Sequence, residues 1–424
     1  MRAEITIASA DHDGRVYLTW TPVQASVRLL EGPGAGPAVA VTLRSGGSKG
    51  QVVFDLTRTH RGSSALQLSL PGDGSPVKFW VAGEFDKASS DFGDAKIDVV
   101  EDAAAVLLGS TPLMVRIRKD AQSLSAAERD RFLSAFSILN GQGTGRYKDF
   151  REMHMGEGLD QAHGDLGFLP WHRAYLLDLE RELQAIDPQV TLPYWRFDQP
   201  APSLFSLDFI GLPNSNGRVQ FAPGHPFEQW TTDRVLGINR PMEFAQGSAP
   251  AELRSEEETM DLGNGRYLGF SDMEGDPHGA AHLSFEAMSG GTQDGYITST
   301  EEAPRDPLFF LLHANVDRLW AKWQWFRKLF TESDPNCFPQ NTAQRPGHNL
   351  NDTLWPWNGV TDATDDTRPP TAPGGSLAAS VLTSAPGPSP TIRSVIDFQG
   401  VKGSAPLGFD YDDVPFEMQE PAIA

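Results

Sequence analysis

The first hundred residues alternate between apolar and polar positions with a period of two. Val16, Leu18 and Trp20 form one such run, and residues 66–70 and 77–81 form two others, separated by the turn sequence Pro-Gly-Asp-Gly at 71–74. A period of two places every second side chain on the same face of a β-strand. About eight short strands at regular spacing predict an N-terminal all-β sandwich over residues 1–105, in which no catalytic constellation is evident.

After residue 111 the apolar positions follow the spacing of helices instead. Helices are predicted to begin near residues 125, 147, 172, 277 and 307, from capping residues, prolines and apolar positions three or four apart. From about residue 334 the chain is rich in Pro, Gly, Ser and Thr, which predicts an irregular C-terminal wrap. We therefore expect a multidomain protein whose second, mainly α domain covers residues 112–424.

Charge and cysteine content exclude several kinds of partner and site. The chain has 35 basic and 56 acidic residues and a net charge of −21, which disfavours a nucleic-acid partner. Cys337 is the single cysteine, so a disulfide framework or a paired-cysteine zinc site is excluded and any metal must be held by imidazole or carboxylate. No signal peptide or membrane span is evident, and we expect a cytoplasmic protein with no membrane partner.

Six of the ten histidines fall on or next to the predicted helices, in two sets of three. Two members of the second set are four residues apart and share a helix face, and the third lies on a facing helix. Three imidazoles without thiolate suit zinc, copper, iron or nickel. A zinc hydrolase is disfavoured, because Gly279 stands where the zinc-protease motif has its glutamate. The first set is His154, His163 and His172, and the second is His278, His282 and His313.

Two motifs around these histidines resemble a known family. The run His163-x4-Phe-Leu-Pro-Trp-His172-Arg173-x2-Leu-x3-Glu180 is similar to the first copper-site signature of tyrosinases and polyphenol oxidases. Asp306-Pro-x-Phe-Phe-x2-His313-x3-Asp317 is similar to the second. The likeness covers roughly residues 112–415 and implies a tyrosinase-like domain with a central four-helix bundle around two copper ions. The resemblance implies that the first histidine set holds copper A and the second set holds copper B.

The chain departs from many members of this type 3 copper family at two positions. Plant and fungal members link a cysteine to the second copper A histidine, but residues 154–172 contain no cysteine, so that crosslink cannot form. Many members have a histidine immediately before the third copper B ligand, where this chain has Leu312.

We also expect Arg173 and Asp317 to form an ion pair between the two site helices, because Arg173 lies beside His172 and Asp317 lies one turn after His313.

The resemblance implies oxidation of o-diphenols or o-aminophenols to o-quinones, with dioxygen and a small phenol as partners. Thr298, Ser299 and Thr300 stand where plant-type members often have a phenylalanine lid, so an open mouth is predicted. In the family, a glutamate and an asparagine hold the water that deprotonates a monophenol. Glu274 occupies the glutamate position, but Gly279 lacks the amide, which predicts weak or lagging monophenol hydroxylation. The alternatives are a full tyrosinase with strong monophenolase activity and a non-catalytic, haemocyanin-like dioxygen binder.

Overall fold

The chain forms two compact units in the computed structural model. The structure describes residues 1–8, 14–30, 36–58, 62–286, 294–340, 343, 345–361, 371–380 and 382–418. The first unit comprises Met1–Arg118, Ser380–Ala385 and Phe398–Ala424, and the second comprises Lys119–Ala379 and Pro386–Asp397. Among the described residues, no helix is both long enough and apolar enough to cross a bilayer.

The first unit contains two sheets. The strands are β1 (Ala3–Ile7), β2 (Val16–Leu18), β3 (Val23–Leu29), β4 (Val39–Gly47), β5 (Val52–Asp55), β6 (Ala65–Leu70), β7 (Val77–Gly83), β8 (Ala95–Glu101) and β9 (Leu107–Val115). One sheet has the order β1-β3-β7-β5 and the other β2-β9-β8-β4-β6, with antiparallel pairs except for β2 and β9. The alternation at 66–70 and 77–81 is confirmed as β6 and β7, because Leu68, Leu70, Phe79 and Val81 are buried.

The C-terminal segment of the chain also belongs to the first unit. The buried Asp410 carboxylate accepts hydrogen bonds from Thr21 N at 3.0 Å and Gln399 Nε2 at 2.7 Å, and Trp20 Nε1 donates to Tyr411 O at 2.9 Å. The observed units therefore differ from the expected domains 1–105 and 112–424. The strand β9 begins at Leu107, beyond the expected boundary, and its apolar alternation is interrupted by Gly109 and Pro112. Residues 398–418 belong to the same unit as strands far away in the sequence.

The second unit is mainly helical. Its helices are α1 (Ala126–Asn140), α2 (Tyr147–Met153), α3 (Leu159–Ala162), α4 (Phe168–Ile186), α5 (Glu256–Met260), α6 (Tyr267–Phe270), α7 (Ala280–Leu283), α8 (Leu308–Arg327) and α9 (Ile392–Ile396). The predicted capping box of α1 is confirmed: Ser125 and Glu128 bond reciprocally, and the helix ends at Gly141 with φ 52°. The start of α8 immediately after Pro307 is also confirmed.

Two predicted helices differ from the observed ones. The helix expected to begin near His172 begins at Phe168, so this histidine lies one turn inside α4. The helix expected after Pro277 is a π-helical turn, Gly275–Gly279, followed by the short α7. Asp276 is extended, with φ −149° and ψ 119°, as the residue before a proline prefers, so the helical stretch that carries both histidines starts at Pro277 as expected, but its first turn is π-helical.

The long, largely irregular stretch over residues 200–270 is anchored to the first turn of α8. Its strands are only two residues long: β10 (Leu212–Pro213), β11 (Val219–Gln220), β12 (Thr231–Thr232) and β13 (Val235–Leu236). The buried Arg240 guanidinium donates to both carboxylate oxygens of Asp306, at 2.6 Å each. Asp306 Oδ1 also accepts from Leu308 N at 2.9 Å, where a carboxylate is favoured by the helix dipole.

Candidate metal centre

The structure brings together each of the two predicted sets of histidines. Within each set, one ligand nitrogen from every histidine lies within 4.8 Å of the corresponding nitrogens of the other two. We call the first set the A triad and the second set the B triad. The A triad is His154, His163 and His172, and the B triad is His278, His282 and His313.

The A triad is assembled from three separate elements. His154 directly follows α2, His163 directly follows α3, and His172 lies in the second turn of α4. His172 Nδ1 donates to Phe168 O at 2.9 Å, since a carbonyl oxygen can only accept. This bond leaves Nε2 as the unprotonated nitrogen of His172. The Nε2 atoms of His154 and His172 are buried and, within the described part of the chain, have no hydrogen-bond partner.

The B triad is more compact. His278 lies in the π-helical turn and His282 in α7, and their Nε2 atoms are each 3.3 Å from His313 Nε2. His278 Nδ1 donates to Glu274 O at 2.7 Å, and His282 Nδ1 donates to Ile297 O at 2.6 Å. Both rings therefore present an unprotonated Nε2 to the same point, as metal-bound histidines do when a carbonyl fixes the other nitrogen.

The central helices α4 and α8 hold the two triads side by side. The rings of His172 and His313 are stacked, with centroids 4.2 Å apart and an interplanar angle of 12°. The predicted ion pair is confirmed: Arg173 Nε donates to Asp317 Oδ1 at 2.6 Å, and both side chains are fully buried. The Arg173 guanidinium also lies 3.7 Å from the centroid of the Trp320 ring, a cation–π contact.

Burial keeps all six imidazoles neutral. Desolvation lowers the pKa of His163 and of His282 to about 4 and lowers the pKa of the other four well below the usual histidine value. A metal ion requires the neutral form of its histidine ligands. Neutral rings with converging, unpaired nitrogens therefore fit two metal ions, each held by three imidazoles, a donor set that suits copper.

Both triads open onto one cavity of about 380 Å³, large enough for a phenolic ring. The predicted residues Glu274 and Gly279 line it, as do Thr298 and Thr300, whereas Ser299, which was named with them, does not belong to the lining. The full lining is His154, His163, Gly164, Glu274, His278, Gly279, His282, Leu283, Thr298, Thr300 and Ala303.

Glu274 contacts the segments that carry both triads. Its carboxylate Oε1 accepts a hydrogen bond from Gly164 N, next to His163, at 2.8 Å, and its backbone oxygen accepts from His278. Burial raises the pKa of Glu274 to about 7. A Cβ atom added at Gly279 would lie 3.3 Å from Glu274 O, with the cavity otherwise open around it.

Two supporting residues carry no signal in the local sequence. One is Arg240, which anchors Asp306 in front of α8, and the other is His348, which contacts the segment around His163. Asp306 belongs to the second copper-site motif, but nothing in the local pattern around residue 240 indicates its partner. His348 is an isolated histidine in a proline- and glycine-rich region, which carries no helical spacing.

The region that carries both triads is similar to known proteins. A family model described as the common central domain of tyrosinase matches residues 144–326, which include both triads. Tyrosinases of Streptomyces glaucescens and Streptomyces antibioticus are 31% and 32% identical over 272 residues, covering 58% of this chain and 94% of each relative. Grixazone synthase of Streptomyces griseus subsp. griseus is 31% identical over 320 residues, covering 60% of this chain and 98% of that protein. The chain therefore belongs to the tyrosinase family of copper oxidoreductases, whose members carry two copper ions.

Proposed function

We propose that this enzyme uses dioxygen to oxidise o-diphenols to o-quinones, or o-aminophenols to the corresponding o-quinone imines, and that it hydroxylates monophenols only weakly. The A triad holds copper A and the B triad holds copper B. The helices around these histidines form the central four-helix bundle, and the amino-terminal sheets form a sandwich. The observation that carries the substrate preference is Gly279, which lines the cavity beside His278 and offers no side-chain amide.

The copper ions, when bound, supply the redox chemistry that couples oxidation of the ring to reduction of dioxygen. Each o-diphenol loses two electrons and two protons, so two rings are oxidised for each dioxygen reduced to two waters. The chain orients the ligands: the carbonyl oxygens of Phe168, Glu274 and Ile297 fix one nitrogen of three rings. These bonds direct the other nitrogen of each ring toward its metal position.

A monophenol requires more of the chain, because its phenolic proton must be removed before an oxygen atom is added. The acceptor must lie within hydrogen-bond reach of the phenol, directly or through one water. Glu274 lines the cavity, and its carboxylate can accept further hydrogen bonds beside the one from Gly164 N, but Gly279 offers no second side-chain partner for a water. An o-diphenol is more acidic than a monophenol, so its oxidation tolerates the missing side-chain amide better.

The wall of the cavity around Thr298 and Thr300 favours turnover of a ring over simple dioxygen binding. The loop behind these residues is held in place: Arg151 Nη1 donates to Glu301 O at 2.6 Å, and Trp230 Nε1 donates to Arg305 O at 2.9 Å. A dioxygen carrier needs no space for a ring, whereas a cavity of about 380 Å³ beside both triads accommodates one.

Oxygen uptake with two matched substrates tests this proposal. Copper-loaded enzyme is supplied with 4-methylcatechol or with 4-methylphenol, which differ by one hydroxyl group, and with o-aminophenol. We expect rapid uptake with the catechol and the aminophenol, and slow uptake with a lag for the monophenol. Equal rates on catechol and monophenol would support the full tyrosinase alternative. Reversible dioxygen binding without turnover of any substrate would support the haemocyanin-like alternative.

A further inference from the structure

His348 belongs to neither triad, yet its imidazole spans the segment that carries His163. The ring is fully buried. Its Nε2 lies 3.0 Å from Asp160 O, three residues before His163, and its Nδ1 lies 2.9 Å from Gly167 N, four residues after it. One side chain thus contacts the backbone on both sides of a histidine of the A triad.

The two contacts define which nitrogen of the His348 ring carries the proton. A carbonyl oxygen can only accept and a backbone N–H can only donate, so Nε2 donates to Asp160 O and Nδ1 accepts from Gly167 N. A neutral imidazole has one donor and one acceptor, and both are used here. Burial lowers the pKa of His348 from its usual value, which favours the neutral ring.

Close packing around His348 requires glycine at two positions. A Cβ atom at Gly167 would lie 2.7 Å from His348 Nδ1 and 2.7 Å from Gly347 O. Gly347 has φ 84°, and a Cβ atom there would lie 2.5 Å from Gln161 Oε1. The backbone of 347–348 therefore approaches the segment around His163 more closely than side chains at these positions would permit.

Trp355 makes further contacts with the same part of the A site. Trp355 N donates to Gln161 Oε1 at 3.3 Å, and Trp171 Nε1 donates to Trp355 O at 2.7 Å. Trp171 directly precedes His172. The stretch 347–355 thus contacts the chain before His163 and the helix that carries His172.

We propose that His348 is a positioning residue for copper A. By holding both sides of the segment 160–167, it fixes the His163 ring relative to His154 and His172 before the metal arrives. The inference rests on the proposed role of His163 as a ligand. This restraint consists of hydrogen bonds, and no cysteine between residues 154 and 172 is present to add a covalent one. A prearranged ligand binds its metal more tightly, since less ordering remains at the moment of binding.

The test compares copper retention in full-length variants. His348→Leu removes both hydrogen bonds, whereas His348→Asn retains an oxygen that can accept from Gly167 N. His225→Leu is the matched control, because His225 is also buried and its Nδ1 also accepts from a backbone N–H, that of Phe227 at 3.0 Å. His163→Ala reports the loss of the ligand itself. Copper per chain is measured after dialysis against graded chelator, with circular dichroism of the metal-free proteins as the check on folding.

We expect His348→Leu to keep one copper with wild-type affinity and to bind the other about 10- to 100-fold more weakly, the usual effect of removing a group that orients a ligand. His348→Asn should weaken the binding of that copper less than His348→Leu does, and His225→Leu should keep both coppers. Wild-type retention of both coppers in His348→Leu, or equal loss in His225→Leu, overturns the proposal.

Two further variants keep the test decisive. If His163→Ala retains both coppers, the ligand assignment fails, independently of His348. If His348→Leu does not fold, Gly167→Ala replaces it, because its Cβ atom would lie 2.7 Å from both His348 Nδ1 and Gly347 O, so the contact between residues 347–348 and Gly167 must open. Selective weakening of one copper in Gly167→Ala supports the proposal, and wild-type retention contradicts it.

Discussion

The A and B triads share one feature and differ in another. Each has one histidine inside a long buried helix, His172 in α4 and His313 in α8, and these two rings stack on each other. The other two histidines of the B triad are four residues apart in one helical stretch. In the A triad, by contrast, His154 and His163 follow the ends of two different short helices, nine residues apart.

This difference determines which parts of the chain hold the histidines of each triad in place. Local helical geometry brings His278 and His282 together, and each then lies 3.3 Å from His313 through Nε2. The segment around His163 has no such regular geometry. It is held by groups from remote parts of the chain, the carboxylate of Glu274 and the ring of His348. We infer that the A triad is the more sensitive of the two to substitutions outside the histidines.

The largest expected effect is the loss of either central histidine. His172→Ala and His313→Ala should each remove one copper and abolish catechol oxidation, because both metals are needed for the reaction. Copper content and oxygen uptake measure the two results separately. Turnover of catechol by either variant would contradict the assignment of that histidine as a ligand.

The ion pair that joins the two central helices should matter to both triads. Asp317→Ala leaves the buried Arg173 charge without this partner, and we expect a loss of about 3–5 kcal/mol in the free energy of unfolding. The control is Asp261→Ala, because Asp261 is exposed and lies 3.5 Å from Arg327 of the same helix, α8. Such exposed pairs contribute about 0–1 kcal/mol. Denaturant unfolding measures both variants, and similar losses would contradict the role of the buried pair.

Acid should destabilise the metal-free protein. The folded-state pKa of His163 and of His282 is lowered to about 4, so below the unfolded value of about 6.5 the unfolded chain binds protons that the folded chain does not. The free energy of unfolding should therefore fall as the pH decreases from 6.5 to 4, by up to about 1.4 kcal/mol per pH unit for each histidine.

Three buried carboxyl groups oppose this acid effect. Burial raises the pKa of Asp178 and of Asp410 to about 6 and that of Glu274 to about 7, so their contribution to stability falls as the pH rises from about 4 to 7. Because the pKa is lowered in eight histidines, the six of the triads with His225 and His348, the histidines should dominate. Denaturant unfolding of the metal-free protein at pH 7, 6 and 5 measures the combined effect of the histidines and the carboxyl groups. A free energy of unfolding that increases toward pH 5 would contradict the prediction. In the same range copper should be bound more weakly, since protons compete for its ligands.

The smallest effect concerns the ratio of monophenol to diphenol rates. Gly279→Asn adds an amide beside Glu274 and should raise the ratio several-fold, since one hydrogen bond contributes about 0.5–1.5 kcal/mol. Gly279→Ala is the control, because it adds the same Cβ atom without the amide. Glu274→Gln should lower the ratio. Steady-state oxygen uptake on 4-methylphenol and 4-methylcatechol provides the ratio, and equal values in the two Gly279 variants would exclude the amide effect.

Local signals predicted much of the fold and most of the candidate site. The capping box predicted where α1 begins, Pro307 predicted the start of α8, and helical spacing placed Arg173 and Asp317 on facing helices. These features depend on residues within a turn or two of one another, or on two helices already identified. The π-helical turn over Gly275–Gly279 was missed, because the four-residue spacing of His278 and His282 is compatible with an α-helix.

The sequence by itself determined the types of most elements, the two sets of three histidines and the resemblance to a copper family. Only the tertiary structure decided that Arg240 anchors α8, that residues 398–418 belong with the amino-terminal strands, and that His348 spans the segment around His163. Periodicity reports which face of an element is buried, because it arises from the backbone geometry of neighbouring residues. A contact between residues 181 positions apart, such as Gly167 and His348, has no local signature, because it forms only when distant segments pack together.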